Sequence, residues 1–212
     1  AMGYYALYNN FNGNLNVAIG SNSGTNASYN NTVSIGNHGY LNGGYNQAFL
    51  GNLSMVWTGG NTGWFTYSDA RVKENVKEDV VGLDFINRLR PVTYYRNIDL
   101  QAQLTGNTLP VRDEHSHDVE QIKFSGFLAQ EVEEAAEASE YDFSGITRPK
   151  NEHELYTLSY EAFVVPLVKG MQEQQMMIDD QRNQVAELKT QLLDQRLQNE
   201  NLQKILEPIE KL

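Results

Sequence analysis

Hydrophobic and polar positions follow three different rhythms along this chain. In the first, Asn16-Val17-Ala18-Ile19-Gly20 returns as Asn31-Thr32-Val33-Ser34-Ile35-Gly36 and again as Asn46-Gln47-Ala48-Phe49-Leu50-Gly51. Ala1-Met2-Gly3 reads as the end of an earlier copy. The closing glycines stand at 3, 20, 36 and 51, so the steps are 17, 16 and 15 residues. Each copy predicts a short strand with Val17 and Ile19, or their equivalents, turned inward. The glycine at its end can take a positive φ. One such turn cannot bury an apolar face, but stacked turns can. Three or four turns make a very small solenoid, so neighbouring chains are expected to complete its core. The many asparagines suit its tight corners, because Asn tolerates the left-handed region.

The second rhythm begins after Leu53. Residues 53–67 lose the repeat and gain Trp57, Trp64, Phe65 and Tyr67, which with Gly59-Gly60 and Gly63 predict a hairpin or strand pair. Leu83, Ile86, Leu89 and Arg90 trace a helix face that Pro91 stops. Val92-Thr93-Tyr94-Tyr95 predicts a strand. Residues 99–120 are polar and read as a loop or hairpin extension. Residues 122–128 predict a second strand, 129–138 an acidic helix and 139–155 a loop, with a short strand at 156–158. The result is a small α+β core.

The third rhythm is a heptad. Placing Val164, Met171, Ile178, Val185, Leu192, Asn199 and Leu206 at position a puts Leu167, Gln174, Gln181, Leu188, Gln195, Leu202 and Ile209 at d. Ten of these fourteen are apolar, which predicts a coiled coil. Gln174, Gln181, Gln195 and Asn199 weaken the seam and fix its register. A helix of roughly 70 Å, at 1.5 Å per residue, is too long to lie on its own small domain, so it is expected to associate with itself. Pro208 predicts a frayed end.

Charge divides the chain at one point. Residues 1–68 contain no Asp, Glu, Lys or Arg, and all 27 acidic and 16 basic side chains follow, beginning with Asp69. The net charge of −11 excludes binding to a phosphate backbone as the main task, and no nucleic-acid partner is expected. The absence of cysteine excludes a disulfide framework, a thiolate metal site and a cysteine nucleophile. No apolar run reaches the ~18–20 residues of a membrane helix, and no secretion-leader pattern is visible. With no carboxylate before Asp69, the aromatic stretch lacks the acid–base pair of a glycosidase, although Trp57 or Trp64 could bind carbohydrate. Asp113-Glu114-His115-Ser116-His117-Asp118 has metal-ligand residue types at alternate positions. It reads as a solvated loop, and no metal or other cofactor is expected.

The candidate chemistry sits where the charge begins, at Ser68-Asp69-Ala70-Arg71-Val72-Lys73-Glu74-Asn75. A hydroxyl and an amine can run acyl chemistry without histidine, provided that the amine is neutral and takes the serine proton. Free lysine titrates near ~10.4, and burial or a nearby cation favours its neutral form. By spacing alone, the segment is equally a surface turn in which Asp69 pairs with Arg71.

Two resemblances extend these readings. The repeats between residues 3 and 51 resemble the head repeats of trimeric surface adhesins and related fibres, which implies a parallel β-roll packed as a trimer. Residues 68 to about 175 resemble the intramolecular chaperones of phage endosialidases and other tail fibres. Four segments carry that likeness in order: Ser68–Asn75, an SDxRxKxN start; Gly82–Tyr94, with Leu89-Arg90-Pro91-Val92; Gly126–Val132, a GxxAQEV element; and Tyr160–Lys169, the start of a long helix. The family resemblance implies that three fibre chains are folded and aligned, and that the bond Tyr67–Ser68 is then cut. Ser68 would be the nucleophile, Lys73 the general base, and Gln130 a supporting group that holds the oxyanion or orients the serine. Asp69, Arg71 and Asn75 would shape the turn.

The expected organisation is therefore mixed. Residues 1–52 form β-roll fibre repeats of about 15–17 residues and 53–67 an aromatic junction. Residues 68–160 form the α+β chaperone core and 161–212 a helix in a trimeric coiled coil. The expected partners are two further copies of the chain, the upstream fibre of the same chain, and a cell-surface or glycan receptor for the parent fibre. The expected setting is a phage fibre or a bacterial surface. An uncleaved trimeric tip with an inactive pair, and a glycan-binding tip, stay open beside the self-cleaving reading.

Overall fold

The computed structural model describes residues 1–38, 42–106 and 114–206. Ile209, Pro208 and Asp113, named above, lie outside the described residues. The chain forms two compact units, one of residues 1–78, 89–134 and 143–159 and one of residues 79–88, 135–142 and 160 onward.

In the first unit the repeats become β1 (Val17–Ile19), β2 (Val33–Ile35) and β3 (Ala48–Leu50), which pair in parallel in that order. Val17 pairs with Val33 and Val33 with Ala48. Sequence steps of 16 and 15 residues are thus the pairing register itself. A parallel bridge from Met2 to Ile19 extends the stack by one more rung. Gly3, Gly20, Gly36 and Gly51 all take positive φ, between 62° and 135°, which an L side chain rarely adopts. Asn31 and Asn46 occupy the same left-handed corner in successive turns, and their side chains are joined by a 2.9 Å hydrogen bond.

The strand faces are the reverse of the sequence expectation. Ala18 and Ser34, at the middle of their strands, are fully buried, whereas Val17, Ile19, Ile35 and Leu50 are all 39–45% exposed. The reason is width. The inside of the first turns accepts small side chains and the larger apolar ones point out, while Phe49, at the matching position of β3, is only half-buried. The interior is therefore polar and hydrogen-bonded. Asn16 Oδ1 accepts from the Thr32 amide at 2.9 Å and from its hydroxyl at 2.8 Å. Buried Asn37 binds both the N–H and the C=O of Gly24, and buried Asn42 donates to the Val33 carbonyl.

The stack ends at Leu53, which is buried with Ile98, Ala102 and Val119, with Phe124 packed against them. Residues 55–67 form no hairpin or strand pair. They run without regular structure, and Trp57, Trp64, Phe65 and Tyr67 are 75–99% exposed. Four aromatic rings favour a pleated surface only where a partner strand supplies packing, and no described residue does so.

The same unit holds β4 (Val92–Tyr94) and β5 (Phe124–Gly126), which pair antiparallel, with Tyr94 and Phe124 stacked at 5.8 Å. Between them, the expected polar loop is partly helical. After α1 (Leu83–Ile86), which belongs to the second unit, α2 spans Ile98–Thr105. Asn97 caps it by accepting from the Leu100 amide, and Gly106 ends it in the left-handed region. Next, α3 runs Ala129–Ala138. The expected loop 139–155 contains β6 (Ile146–Thr147), which pairs with β7 (Thr157–Leu158). Arg90 pairs with Glu131, while Glu133 binds Arg148 and accepts from the Tyr156 hydroxyl at 2.8 Å.

In the second unit, α1 is shorter than the expected face, ending before Leu89. It packs on the first turns of α4 (Val164–Leu206). Phe85 is fully buried, edge-on to Tyr141 at 5.3 Å and stacked on Phe163 at 6.3 Å. Burial first, and the Asp79 charge second, push the Tyr141 phenol above its ordinary range. Glu173 Oε2 accepts from the Leu83 amide at 2.7 Å, satisfying one of the free N–H groups at the start of α1. Buried Gly82 lies where a Cβ would come within 2.5 Å of that carboxylate and 2.7 Å of the Gly170 nitrogen. Its missing side chain sets how closely the two helices approach.

Candidate functional site

Ser68 lies at the end of the extended uncharged segment, immediately after the 99% exposed Tyr67. Asp69 then caps a single 3-10 turn at Ala70–Val72 by accepting from the Arg71 amide at 2.9 Å. The Arg71 guanidinium closes on the same carboxylate, with Nη2 to Oδ2 at 2.6 Å. That guanidinium first, and the Arg71 N–H second, hold the Asp69 carboxyl below its usual range. The turn closes as the Lys73 amide donates to the Ala70 carbonyl at 3.2 Å, and Lys73 resumes an extended backbone. This tight turn brings residue 73 back to residue 68, and Lys73 Nζ lies 2.8 Å from Ser68 Oγ. Asn75 follows in the left-handed region, at φ 53°, and redirects the chain.

The distance fits proton transfer, since a base must lie about 2.6–3.2 Å from the proton-bearing atom. The hydrogen bond runs from Lys73 Nζ to the Ser68 hydroxyl oxygen. The same line serves in reverse once the amine is neutral. Both side chains are exposed, so in one chain alone the pair stands in water.

Gln130 falls on the exposed first turn of α3. Among the described residues no hydrogen bond joins it to Ser68 or Lys73. The neighbouring Glu131 is the residue that sequence reasoning missed. It ties the GxxAQEV segment to Arg90 of the Leu89-Arg90-Pro91-Val92 segment, while β4 and β5 pair beside it. The opposite charges within the two motifs were the available signal. The seam residues Val164, Leu167, Met171, Ile178, Val185, Leu188, Leu192 and Leu202 are all exposed on α4, and Leu206 is its last residue. The acidic-histidine segment makes local pairs, with His115 Nδ1 3.0 Å from Asp118 and His117 Nε2 3.5 Å from Asp99. Among the described residues no helix is long and apolar enough to cross a membrane.

Residues 68–139 match the family model described as chaperone of endosialidase. The matched segment, less than half of the chain, supports an intramolecular chaperone of the endosialidase type, a family whose role is in fibre assembly and which is associated with phage tail fibres. The match starts at Ser68, the first member of the pair, and includes Lys73, Arg90, Gln130 and Glu131. No curated protein and no solved structure matches the chain.

Proposed function

We propose that this chain is a self-associating chaperone that aligns three copies of an uncharged fibre segment and then cuts itself from it at Tyr67–Ser68. The observation that carries the reading is the 2.8 Å approach of Lys73 Nζ to Ser68 Oγ at the first residue of the family match. Lys73, neutral, takes the Ser68 hydroxyl proton as Oγ adds to the Tyr67 carbonyl carbon. The C–N bond of Tyr67–Ser68 then breaks, and the Ser68 nitrogen leaves as an amine after taking a proton back. The resulting ester joins Tyr67 to Ser68 Oγ. Water hydrolyses it to a Tyr67 carboxylate and a free Ser68 hydroxyl, giving pieces of 67 and 145 residues.

Two apolar surfaces support self-association. One is the outward row of Val17, Ile19, Ile35 and Leu50 on the parallel strands; the other is the seam of α4. Neither is covered by the described residues, and large contiguous apolar surfaces mark association sites. Three parallel stacks meeting along the first row make a trimeric β-roll. Three α4 helices meeting along the second make a coiled coil. The cut separates residues 1–67 from every charged side chain in the molecule.

A second reading, a permanent trimeric tip that is never cut, is favoured by the exposure of the pair. A lysine base needs burial or a neighbouring cation. Self-association must supply that environment for the first reading to hold. Intact mass spectrometry of freshly purified protein separates the two. Fragments of 67 and 145 residues that vanish in Ser68→Ala and in Lys73→Ala support cleavage. A single uncut mass in all three proteins supports the permanent tip. Light scattering that gives a monomer mass at micromolar concentration sinks both.

A further inference from the structure

The first two turns of the repeat segment line an open cleft of about 310 Å³ that plays no part in the chaperone reading. Tyr5, Tyr8 and Asn9 line it from one turn, and Asn22, Ser23 and Thr25 from the next. Backbone hydrogen bonds hold the two walls together, from the Asn22 amide to the Tyr4 carbonyl at 2.7 Å and from the Leu7 amide to the Ser23 carbonyl at 2.9 Å. The aromatic wall is ordered, with the Tyr5 and Tyr8 rings edge-on at 4.6 Å. The opposite wall is polar, and two of its residues, Ser23 and Thr25, are 1% and 2% exposed.

Two features of this cleft bear on binding. The buried Ser23 hydroxyl has no hydrogen-bond partner among the described residues, although buried polar groups are almost always paired. The segment that carries the aromatic wall is also strained, at Tyr5 in the lining and at Leu7 beside it. Tyr5 and Leu7 take φ of 54° and 58°, a left-handed conformation that costs roughly 1–2 kcal/mol for such residues. Asparagine occupies this conformation at Asn22, Asn31 and Asn46, and Leu15 does so outside the cleft. Strain of this kind gathers where a binding surface needs a fixed shape.

The chemistry of the lining narrows the ligand. Residues 1–68 contain no Lys, Arg, Asp or Glu, so the cavity offers no counter-ion to a phosphate, a carboxylate or an amine. It offers flat aromatic carbon, two carboxamides that each donate and accept, and the phenolic hydroxyls of the two tyrosines beside the buried hydroxyls of Ser23 and Thr25. A pyranose ring presents the complement, C–H faces for the tyrosines and a rim of hydroxyls for the amides. The volume is at the small end of ligand cavities, which run roughly 300–1,000 Å³, and suits one ring or the end of a chain. We infer that this cavity is a subsite for a neutral sugar residue of a surface glycan. Tyr8 supplies the stacking face, and Asn9 and Asn22 supply the hydrogen bonds.

Saturation-transfer NMR on the full chain tests this, with methyl α-glucoside, methyl β-galactoside and N-acetylglucosamine as probes at millimolar concentration, and N-acetylneuraminic acid as the anionic comparison. At least one neutral probe is expected to receive saturation. The signal should weaken about tenfold in Tyr8→Ala, fall in Asn9→Ala, and persist in Trp57→Ala. Unchanged hydrogen exchange at 17–19 and 33–35 shows that the two cavity variants remain folded. The inference is overturned if no neutral probe binds. It is overturned equally if binding survives both cavity variants, or disappears in Trp57→Ala, which would move the site to the exposed indoles. Protection of the Tyr8 ring by self-association, with no sugar bound, would assign the cavity to a second copy of the chain and overturn it too.

Discussion

Ala18, Ser34, Asn37 and Asn42 fill the inside of the repeat segment, whereas Phe85, Tyr141 and Phe163 fill the inside of the second compact unit. In the repeats, order comes from backbone pairing in exact steps of 16 and 15 residues and from asparagine side chains that bind backbone groups. The large apolar residues are left outside. In the second unit, order comes from aromatic rings packed at van der Waals distance, with one carboxylate, Glu173, finishing a helix end. A repeat that can add a turn needs an interior that is the same at every rung. Small side chains and hydrogen bonds meet that need at Ala18 and Ser34, and they leave the larger apolar row exposed. A closed core has no such need, and it uses volume instead.

The largest expected effect lies in the closed core. Phe85→Ala should cost about 3–5 kcal/mol, read by urea denaturation of the helical signal, because the ring is fully buried between two others. A loss below ~1 kcal/mol, the level of a surface change, would mean that this unit is not held by its aromatic core.

The matching probe in the repeats enlarges a side chain. Ser34→Leu should cost about 1–3 kcal/mol through overpacking, although it adds an apolar residue at a buried position. Ile35→Asp, one residue on and outward-facing, should leave strand protection in place and reduce self-association. If the two variants exchanged effects in hydrogen exchange and light scattering, the assignment of faces would be wrong.

Acid should separate the regions as well. Arg148 first, and Tyr156 second, hold the Glu133 carboxyl below its ordinary range. A group lowered in the folded state contributes fully above its unfolded pKa, about 4.3 for glutamate. That contribution is lost as pH falls through the lower folded value. Hydrogen exchange below pH ~4.3 should therefore open α3 and the β6–β7 pair, while β1–β3, which have no carboxylate, keep their protection. Glu133→Gln should remove the acid sensitivity of the first set. If β1–β3 opened first, the contrast between hydrogen-bonded and charge-supported order would fail.

The smallest effect sharpens the role of the corners. Leu15 stands one register step before Asn31 and Asn46, with φ of 59° against their 56° and 59°, and it is 82% exposed. Leu15→Asn should raise stability by up to about 1 kcal/mol, since little burial is lost and the left-handed conformation is eased. A drop in melting temperature would show that Leu15 has a partner the single chain does not reveal.

Much of this was legible in particular residues. The glycines at 3, 20, 36 and 51 carry the turn length because only glycine takes that backbone at low cost. Pro91 and the β-rich run after it marked β4, and the heptad marked α4. Helix α2 was missed because its buried residues, Ile98, Ala102 and Thr105, are few and one is polar. Its signals were the flanking Asn97 cap and Gly106 stop. The Ser68–Lys73 pair was legible as two residue types at a charge boundary. Their 2.8 Å approach was not, because it depends on a 3-10 turn that the Asp69–Arg71 clamp shapes.

What the sequence determined by itself is periodic or compositional: the 15–17-residue step, the place where charge begins, and the apolar stripe of the long helix. Such features follow from spacing along the chain, and spacing survives any packing. Tertiary structure alone decided which way the repeats face. A pattern such as Val17-Ala18-Ile19 alternates identically whichever side is inside. Only packing across the fold buries Ala18 and leaves the larger pair outside. It also decided that Glu131 would meet Arg90 and that Glu173 would cap α1 from ninety residues away. Distances across the fold are set by all the residues between, and no local pattern encodes them.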